Sequence, residues 1–470
     1  MSPMTFVSTR NAASTAGFSE ALVRGIAPDG GLYVPAQWPA LDVNALMMHY
    51  TPHDAASGSK SAGTAGAPTV GTSRFAHVSG QTVEQLTLPP LAAEFIARFV
   101  AGDVLESQMP AITQDAFNFP TTLVPLSDDG RLQILELFHG PTAAFKDFGA
   151  RFLAAALTRL RKPGDRPLKI LVATSGDTGG AVAAAFHQRP GIEVAVLFPK
   201  GLVSPTQEKQ LTCWGGNVQS FAVSGTFDDC QRLVKDAFLD PTLRERFELS
   251  SANSINLGRL LPQAVYYAAA SLAVWRRYGE RASFIVPSGN LGNVSACIWA
   301  RKLGLPIGNI VLAHNSNRTV TDYLESGEWR PRPSVATLAS AMDVGNPSNM
   351  ERLKSLFPEV EQLRDAVSAD TVDDEAIRRR IKAGYEDLGQ IWCPHTATAA
   401  EVYARMSPER RASARWTLVA TAHPAKFREI VEPLIGRAVE MPATLSSLMT
   451  RPTSCTTIAP DLAALRAALS

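Results

Sequence analysis

Cysteine is scarce in this chain of 470 residues. The five present, Cys213, Cys230, Cys297, Cys393 and Cys455, are an odd number, widely scattered, and form no CxxC pair. That excludes a disulfide framework and a structural zinc site, and it suits a reducing cytoplasm. An excess of one charge is also lacking. Lys and Arg number 45 against 44 Asp and Glu, a net charge of +1, so nothing electrostatic favours nucleic acid or an anionic membrane. No apolar run approaches the ~18 residues of a membrane span. The opening residues, MSPMTFVSTRN, hold no signal-peptide core. No His, Cys or carboxylate spacing resembles a metal site, so none is expected.

What remains is a 45% hydrophobic chain long enough to bury two or three cores, expected to be multi-domain, cytoplasmic and partnered by small molecules. Residues 54–73, DAASGSKSAGTAGAPTVGTS, stand apart, with 17 of 20 being Ala, Gly, Ser, Thr or Pro. Such a stretch has too little apolar side chain to offset its ordering entropy and reads as an insertion. Around it, GFSEALVRGIAPDGGLYVP and TLPPLAAEFIARFVAGD have the pattern of short helices joined by turns. From about residue 119 the pattern changes. LKILVAT (168–174), IEVAVLF (192–198), VQSFAV (218–223), SFIVP (283–287), NIVLA (309–313) and WTLVAT (416–421) are short β-branched runs, most followed by a turn residue and a helical stretch. Parallel α/β sheets have this pattern, and their ligands sit at the carboxyl ends of the strands.

Two such ends are glycine-rich: SGDTGGAVAAAF (175–186) and SGNLGNVSACIWA (288–300). Each sets exposed backbone N–H groups at a helix N-terminus, where the dipole favours an anion. One loop alone could be a turn that merely lets a helix pack on a sheet. Two point to a ligand or ligand pair with two anionic groups, and neither loop fits the spacing of a nucleotide-triphosphate or dinucleotide site. A third stretch, HGPTAAFKDFGARF (139–152), frames Lys146 with small and aromatic residues. An ordinary lysine is a solvated surface charge. Enclosure lowers a lysine pKa, and a lysine that is neutral part of the time can form a Schiff base. A Schiff-base lysine and a phosphate cradle on an α/β frame are what pyridoxal phosphate requires.

Together with NSINLGRLLPQ, AMDVGNPSN, TAHPAKF and the N-terminal STRN and GIAPDGGLYVP, these motifs resemble the threonine synthases of the longer branch found in enteric bacteria and fungi. The resemblance runs from about residue 6 to about residue 435. It implies the pyridoxal-phosphate fold type II of the tryptophan synthase β-subunit, with parallel sheets flanked by helices and an extra N-terminal helical region. The implied reaction converts O-phospho-L-homoserine and water to L-threonine and phosphate. Lys146 matches the lysine that carries the cofactor and shuttles protons. Gly289, Asn290, Leu291, Gly292 and Asn293 match the cofactor-phosphate loop, with Leu291 where the family more often has Phe or Ala. Ser175, Thr178 and Gly179 match the substrate-carboxylate loop, and Asn253, Ser254 and Arg259 the substrate-phosphate site. Thr421 matches the hydroxyl placed against the pyridine nitrogen. Asp177 stands where some relatives carry an Asn facing the cofactor's 3′ oxygen, so a carboxylate there must be protonated or turned away. His139, His395 and His423 are expected to be hydrogen-bonded structural residues.

The expected division is an N-terminal region of residues 1–118, a large cofactor domain of 119–149 and 251–470, and a smaller closing domain of 150–250, in a monomer or homodimer. A phospho-lyase releasing 2-oxobutyrate would use the same site. A dehydratase of the same fold is opposed by NSINLGR, and a non-catalytic protein by Lys146 within complete cofactor motifs.

Overall fold

The computed structural model describes residues 3–49 and 83–469, and the low-complexity stretch 54–73 lies outside the described residues. At the N-terminus, β1 (Phe6–Ser8), β2 (Thr15–Ala16) and β3 (Tyr33–Pro35) form a small antiparallel sheet in the order β2-β1-β3. Strands of two or three residues carry no readable alternation, which is why the sequence suggested only helices there. The expected helices are present too, among them Phe18–Arg24, Leu88–Ala97 and Met109–Ala116.

Next in the chain come β4 (Glu84–Gln85), β5 (Thr122–Pro125) and β6 (Leu132–Glu136). They are followed by β7 (Leu168–Ala173), β8 (Ile192–Pro199), β9 (Val218–Val223) and β10 (Glu248–Ser251). The last strands are β11 (Ala282–Pro287), β12 (Ile307–His314), β13 (Ser368–Thr371), β14 (Arg415–Ala420) and β15 (Thr456–Ile458). They assemble into a seven-stranded sheet, β13-β12-β11-β14-β6-β5-β4, and a five-stranded sheet, β10-β7-β8-β9-β15. The smaller sheet is wholly parallel, and in the larger one only β4 and β5 run antiparallel to their neighbours.

All six apolar runs form strands, because helices cover both faces of a parallel sheet and a strand buried on both faces tolerates few polar side chains. Lys169 in β7 is the instructive exception. Its stem is buried, its Nζ lies 2.5 Å from Glu193, and it sits 4.5 Å from the centre of the Phe247 ring. A buried lysine is tolerated there because its charge is paired.

The C-terminal segment departs from expectation. Expected within the large cofactor domain of 251–470, it holds two helices, Ala443–Met449 and Leu462–Ala468, with β15 between them pairing in parallel with β9 of the smaller sheet. Three residues, of which only Ile458 is buried, are too few to announce a strand, whose place is set by the open edge of β9.

Four parallel strands end where the candidate residues begin: β7 before Ser175, β10 before Asn253, β11 before Gly289 and β14 before Thr421. The helix Lys146–Leu160, packed against the helices Met109–Ala116, Asp177–Phe186 and Leu257–Leu260, is buried along most of its length. Phe148 is fully buried, with ring centres 4.8 Å from Phe119, 5.1 Å from Tyr266 and 6.0 Å from Phe117. Phe148→Ala should therefore destabilise the fold by about 3–5 kcal/mol, read as a lower denaturant midpoint. An unchanged midpoint would mean that this aromatic cluster does not hold the helix.

Candidate active site

The segment before Lys146 is fixed by three contacts to the end of β14. Ala144 and Ala422 form an antiparallel bridge, Phe145 N donates to Thr421 O at 2.8 Å, and His423 N donates to Ala143 O at 3.0 Å. Ala143 has φ of 54°, an uncommon conformation for a residue with a Cβ, and the clasp enforces it. Asp147 closes the turn by accepting from Thr142 N at 2.9 Å and Thr142 Oγ1 at 2.6 Å. Gly140 is required beside it, since a Cβ there would lie 2.4 Å from the Asp147 carboxylate.

Lys146 is thereby set at a helix N-terminus, partly open to the cleft. Its ammonium hydrogen-bonds to no described residue and rests 4.3 Å from the centre of the Phe145 ring. Burial brings its pKa down to about 8, the Arg259 and Lys426 cations act in the same direction, and Asp177 opposes them. The enclosure expected of this lysine is present, and so is its physical consequence.

The loop after β11 is equally constrained. A Cβ on Gly289 would lie 2.7 Å from Met342 Cα, a backbone atom that cannot swing aside. Leu291 sits at the start of the helix Gly292–Lys302 in the left-handed region, φ 62°, with its side chain buried. With its side chain in the core, anything Leu291 offers at this loop comes from its backbone. Asn290 donates to Ser254 Oγ at 2.7 Å and accepts from Ser348 N at 2.5 Å, while Asn349 donates to Asn290 O at 2.9 Å. Arg352 holds Asn349 in turn, at 2.6 Å. Asn293 Oδ1 accepts from both Tyr266 and Tyr267, at 2.5 and 2.8 Å, leaving its buried amide nitrogen without a partner among the described residues. An orphan donor beside the free N–H groups of a helix start fits a phosphate.

In the loop after β7, Thr174 Oγ1 accepts from Gly176 N at 2.9 Å and Gly179 N at 2.8 Å, which leaves Ser175 and Thr178 partly exposed at its rim. Asp177 points elsewhere. Its Oδ1 accepts from Gln207 at 2.9 Å and lies 2.8 Å from the Lys426 ammonium, and these partners hold its pKa low despite burial. These partners favour the ionised carboxylate.

Asn253 donates to Ala173 O at 2.9 Å, tying the segment after β10 to β7, and Ser254 meets the β11 loop through Asn290. Arg259 is 1% exposed, donates from Nη1 to Ala252 O and keeps a buried Nε without a partner, with its pKa lowered by burial to about 10. Thr421 lies buried at the end of β14. His395 and His423 are neutral acceptors, from Ala341 N and Ala425 N, both at 3.1 Å, and burial lowers their pKa values to about 4 and about 3. His139 lies 2.7 Å from Glu136.

Lys426, Thr174, Asn349 and Arg352 were not singled out from the sequence. Lys426 and Asn349 lie inside quoted motifs, TAHPAKF and AMDVGNPSN, but a motif does not tell which of its residues faces the site.

These residues can hold a phosphate-bearing aldehyde: a lysine of lowered pKa, an amide cradle and a second cationic site at Arg259. Comparisons with known proteins agree. Residues 117–422 match the model of the pyridoxal-phosphate dependent enzymes, and residues 5–52 and 396–469 match the N-terminal and C-terminal models of threonine synthase. The chain is similar to the threonine synthase of Haemophilus influenzae, 37% identical over 457 residues and covering 96% of each chain. To that of Escherichia coli it is 40% identical over 376 residues, covering 80% of this chain and 86% of the relative. Among solved structures, threonine synthase from Escherichia coli superimposes with a TM-score of 0.84 at 33% identity, covering 99% of each chain. A pyridoxal-phosphate-bound threonine synthase from Brucella melitensis gives 0.83 at 31% identity, covering 99% of this chain and 98% of that one.

Gly289→Ala tests the cradle, because the added Cβ must displace the backbone at Met342. Titration of the apo protein with pyridoxal phosphate should show affinity at least about tenfold weaker, equivalent to about 1.4 kcal/mol. Unchanged affinity would remove this loop from the cofactor site.

Proposed function

Because the chain belongs to the pyridoxal-phosphate-dependent threonine synthase family, we propose that its substrate is O-phospho-L-homoserine, converted with water to L-threonine and phosphate by γ-elimination and β-addition. The observation that carries the substrate is Arg259: a buried guanidinium with an unsatisfied Nε whose charge reaches Lys146. A buried cation of that kind calls for an anion, and its planar fork matches a phosphate.

When bound, pyridoxal phosphate supplies an electron sink for negative charge at the substrate carbons. Lys146 would hold it and would then be the group placed to carry protons at the substrate Cα and Cβ, work suited to an amine with a pKa of about 8. The Gly289–Asn293 loop holds the cofactor phosphate through backbone N–H groups and the free amide of Asn293. Thr421 would set a hydroxyl against the ring nitrogen, and a hydroxyl there, unlike a carboxylate, would supply no full counter-charge. Ser175, Thr178 and Gly179 orient the substrate carboxylate, and Asn253, Ser254 and Arg259 hold its phosphate before and after departure. Asp177 acts in the cofactor site through Lys426. The smaller sheet, with residues 150–250 and the C-terminal strand, closes over the cleft and keeps bulk water from the reactive carbons. Five thiols without a disulfide support a reducing, cytoplasmic setting.

The purified protein should release threonine and phosphate one for one from O-phospho-L-homoserine, and Lys146→Ala should abolish both. Arg259→Lys, which keeps the charge and loses the fork, should lower kcat/KM by about tenfold or more. Phosphate accompanied by 2-oxobutyrate would instead make the protein a phospho-lyase, and absence of phosphate would exclude the substrate.

A further inference from the structure

The site contains two lysines in opposite circumstances. Lys146 has an aromatic ring and no hydrogen-bond partner among the described residues. Lys426, in the turn Pro424–Phe427, is fully buried, 2.8 Å from Asp177 Oδ1, and donates to Thr142 O at 2.9 Å. Thr142 and Asp147 in turn belong to the turn that presents Lys146. The second lysine is thus wired to the segment that positions the first.

Every charged group around Lys146 can be placed. Arg259 lies on the helix Leu257–Leu260, Asp177 on the helix Asp177–Phe186 and Lys426 on its own turn, and all three act electrostatically on Lys146. His395, on the helix Pro394–Arg405, accepts a backbone hydrogen bond through Nε2 and is neutral. Asp147, on the helix of Lys146, is occupied by Thr142. Asp177 is the nearby anion that opposes loss of the Lys146 proton, and it is bonded to Lys426 and Gln207.

Resting on the cofactor role given to Lys146, we propose that Lys426 is a positioning residue for it: an ammonium fixed by Asp177 and Thr142 that offsets the Asp177 charge and makes Lys146 the lysine that yields its proton. The physical reason is that a carboxylate alone behind Lys146 would hold the proton there, whereas the ion pair presents almost no net charge. Burial and Arg259 lower the Lys146 pKa most, and the Lys426 cation adds to them by offsetting part of the opposing Asp177 charge. Gln207 completes the arrangement by donating at 2.9 Å to the same Asp177 oxygen, Oδ1, that meets Lys426.

The test uses apo protein and free pyridoxal phosphate, followed by the visible band of the attached cofactor as a function of pH, with borohydride reduction and peptide mapping to identify the lysine modified. Wild type should attach at Lys146 with a midpoint near pH 8. Lys426→Gln, which can still hydrogen-bond to Asp177, should attach at the same lysine with a higher midpoint, read as about tenfold slower attachment at neutral pH. Lys426→Arg should restore the wild-type profile. Asp177→Asn, which leaves the Lys426 ammonium on Thr142, should move the midpoint down, and it decides the matter if Lys426→Gln fails to fold. Midpoints that stay at the wild-type value in a folded Lys426→Gln or Asp177→Asn protein would overturn the proposal. If wild type gives no attachment at Lys146, the cofactor reading itself fails, a separate outcome visible before any variant is made.

Discussion

The clasp between residues 143–145 and 421–423 is the constraint on which the site depends. Lys146 begins a helix, and nothing in a helix start fixes where its first side chain points. The Ala144–Ala422 bridge and the two flanking hydrogen bonds at 2.8 and 3.0 Å supply that fix, by tying the helix start to the end of a central strand of the larger sheet. The same three contacts place Thr421, His423 and Lys426, so the lysine that reacts and the groups that face it are positioned as one unit. The left-handed conformation of Ala143 is a local cost of about 1–3 kcal/mol that this geometry requires. Leu291 shows the same pattern at the loop after β11, where a left-handed backbone goes with a side chain buried in the core.

A second constraint is electrical. Lys146, Arg259, Arg352 and Lys426 bring four cations into or near one buried region, against the carboxylates of Asp147 and Asp177. Arg352 is satisfied by three backbone carbonyls and Asn349, and Lys426 by Asp177 and Thr142. Lys146 and Arg259 are left short of partners. That asymmetry separates scaffold from site: charges that only support the fold are saturated, and those that await a ligand are not. Removing one member of the saturated Asp177–Lys426 pair would leave a buried charge alone, a loss of about 3–5 kcal/mol in comparable pairs, so the pair also bears on stability.

The sequence made the parallel strands legible because strands buried on both faces must be apolar, and six such runs found their places. It made the cofactor loops legible because glycine is enforced where backbone approaches backbone, as at Gly289. Short strands were not legible: β1 to β3 span two or three residues each, and β15 carries one buried residue, too few for any periodicity to show. Nor did the sequence distinguish Lys426 from other lysines. A lysine in a turn is ordinarily solvated, and its burial follows from the meeting of Asp177 and Thr142, separated from it by 249 and 284 residues. Asp177 was recognised as needing an explanation, and the explanation lay in a residue that only the fold brings close.

The C-terminal strand bears on how the two sheets work together. After β14 the chain leaves the larger sheet, passes through Ala443–Met449 and adds β15 to the open edge of β9, with Ser454 N bonded to Thr212 O at 2.7 Å. Arg466 pairs with the buried Asp240, and the helix Leu462–Ala468 covers the strand beside it. The smaller sheet is therefore joined to the larger one covalently at three places: before β7, after β10 and through this tail. The ion pair between Asp177 and Lys426 crosses the same boundary, as does the bond from Ser204 Oγ to Lys426 O at 2.9 Å. A sheet held at three covalent points and by a buried charge pair next to the reactive lysine cannot swing as an independent body. Any displacement of this sheet relative to the larger one would change the electrostatic setting of Lys146 and the position of the loop after β7 together.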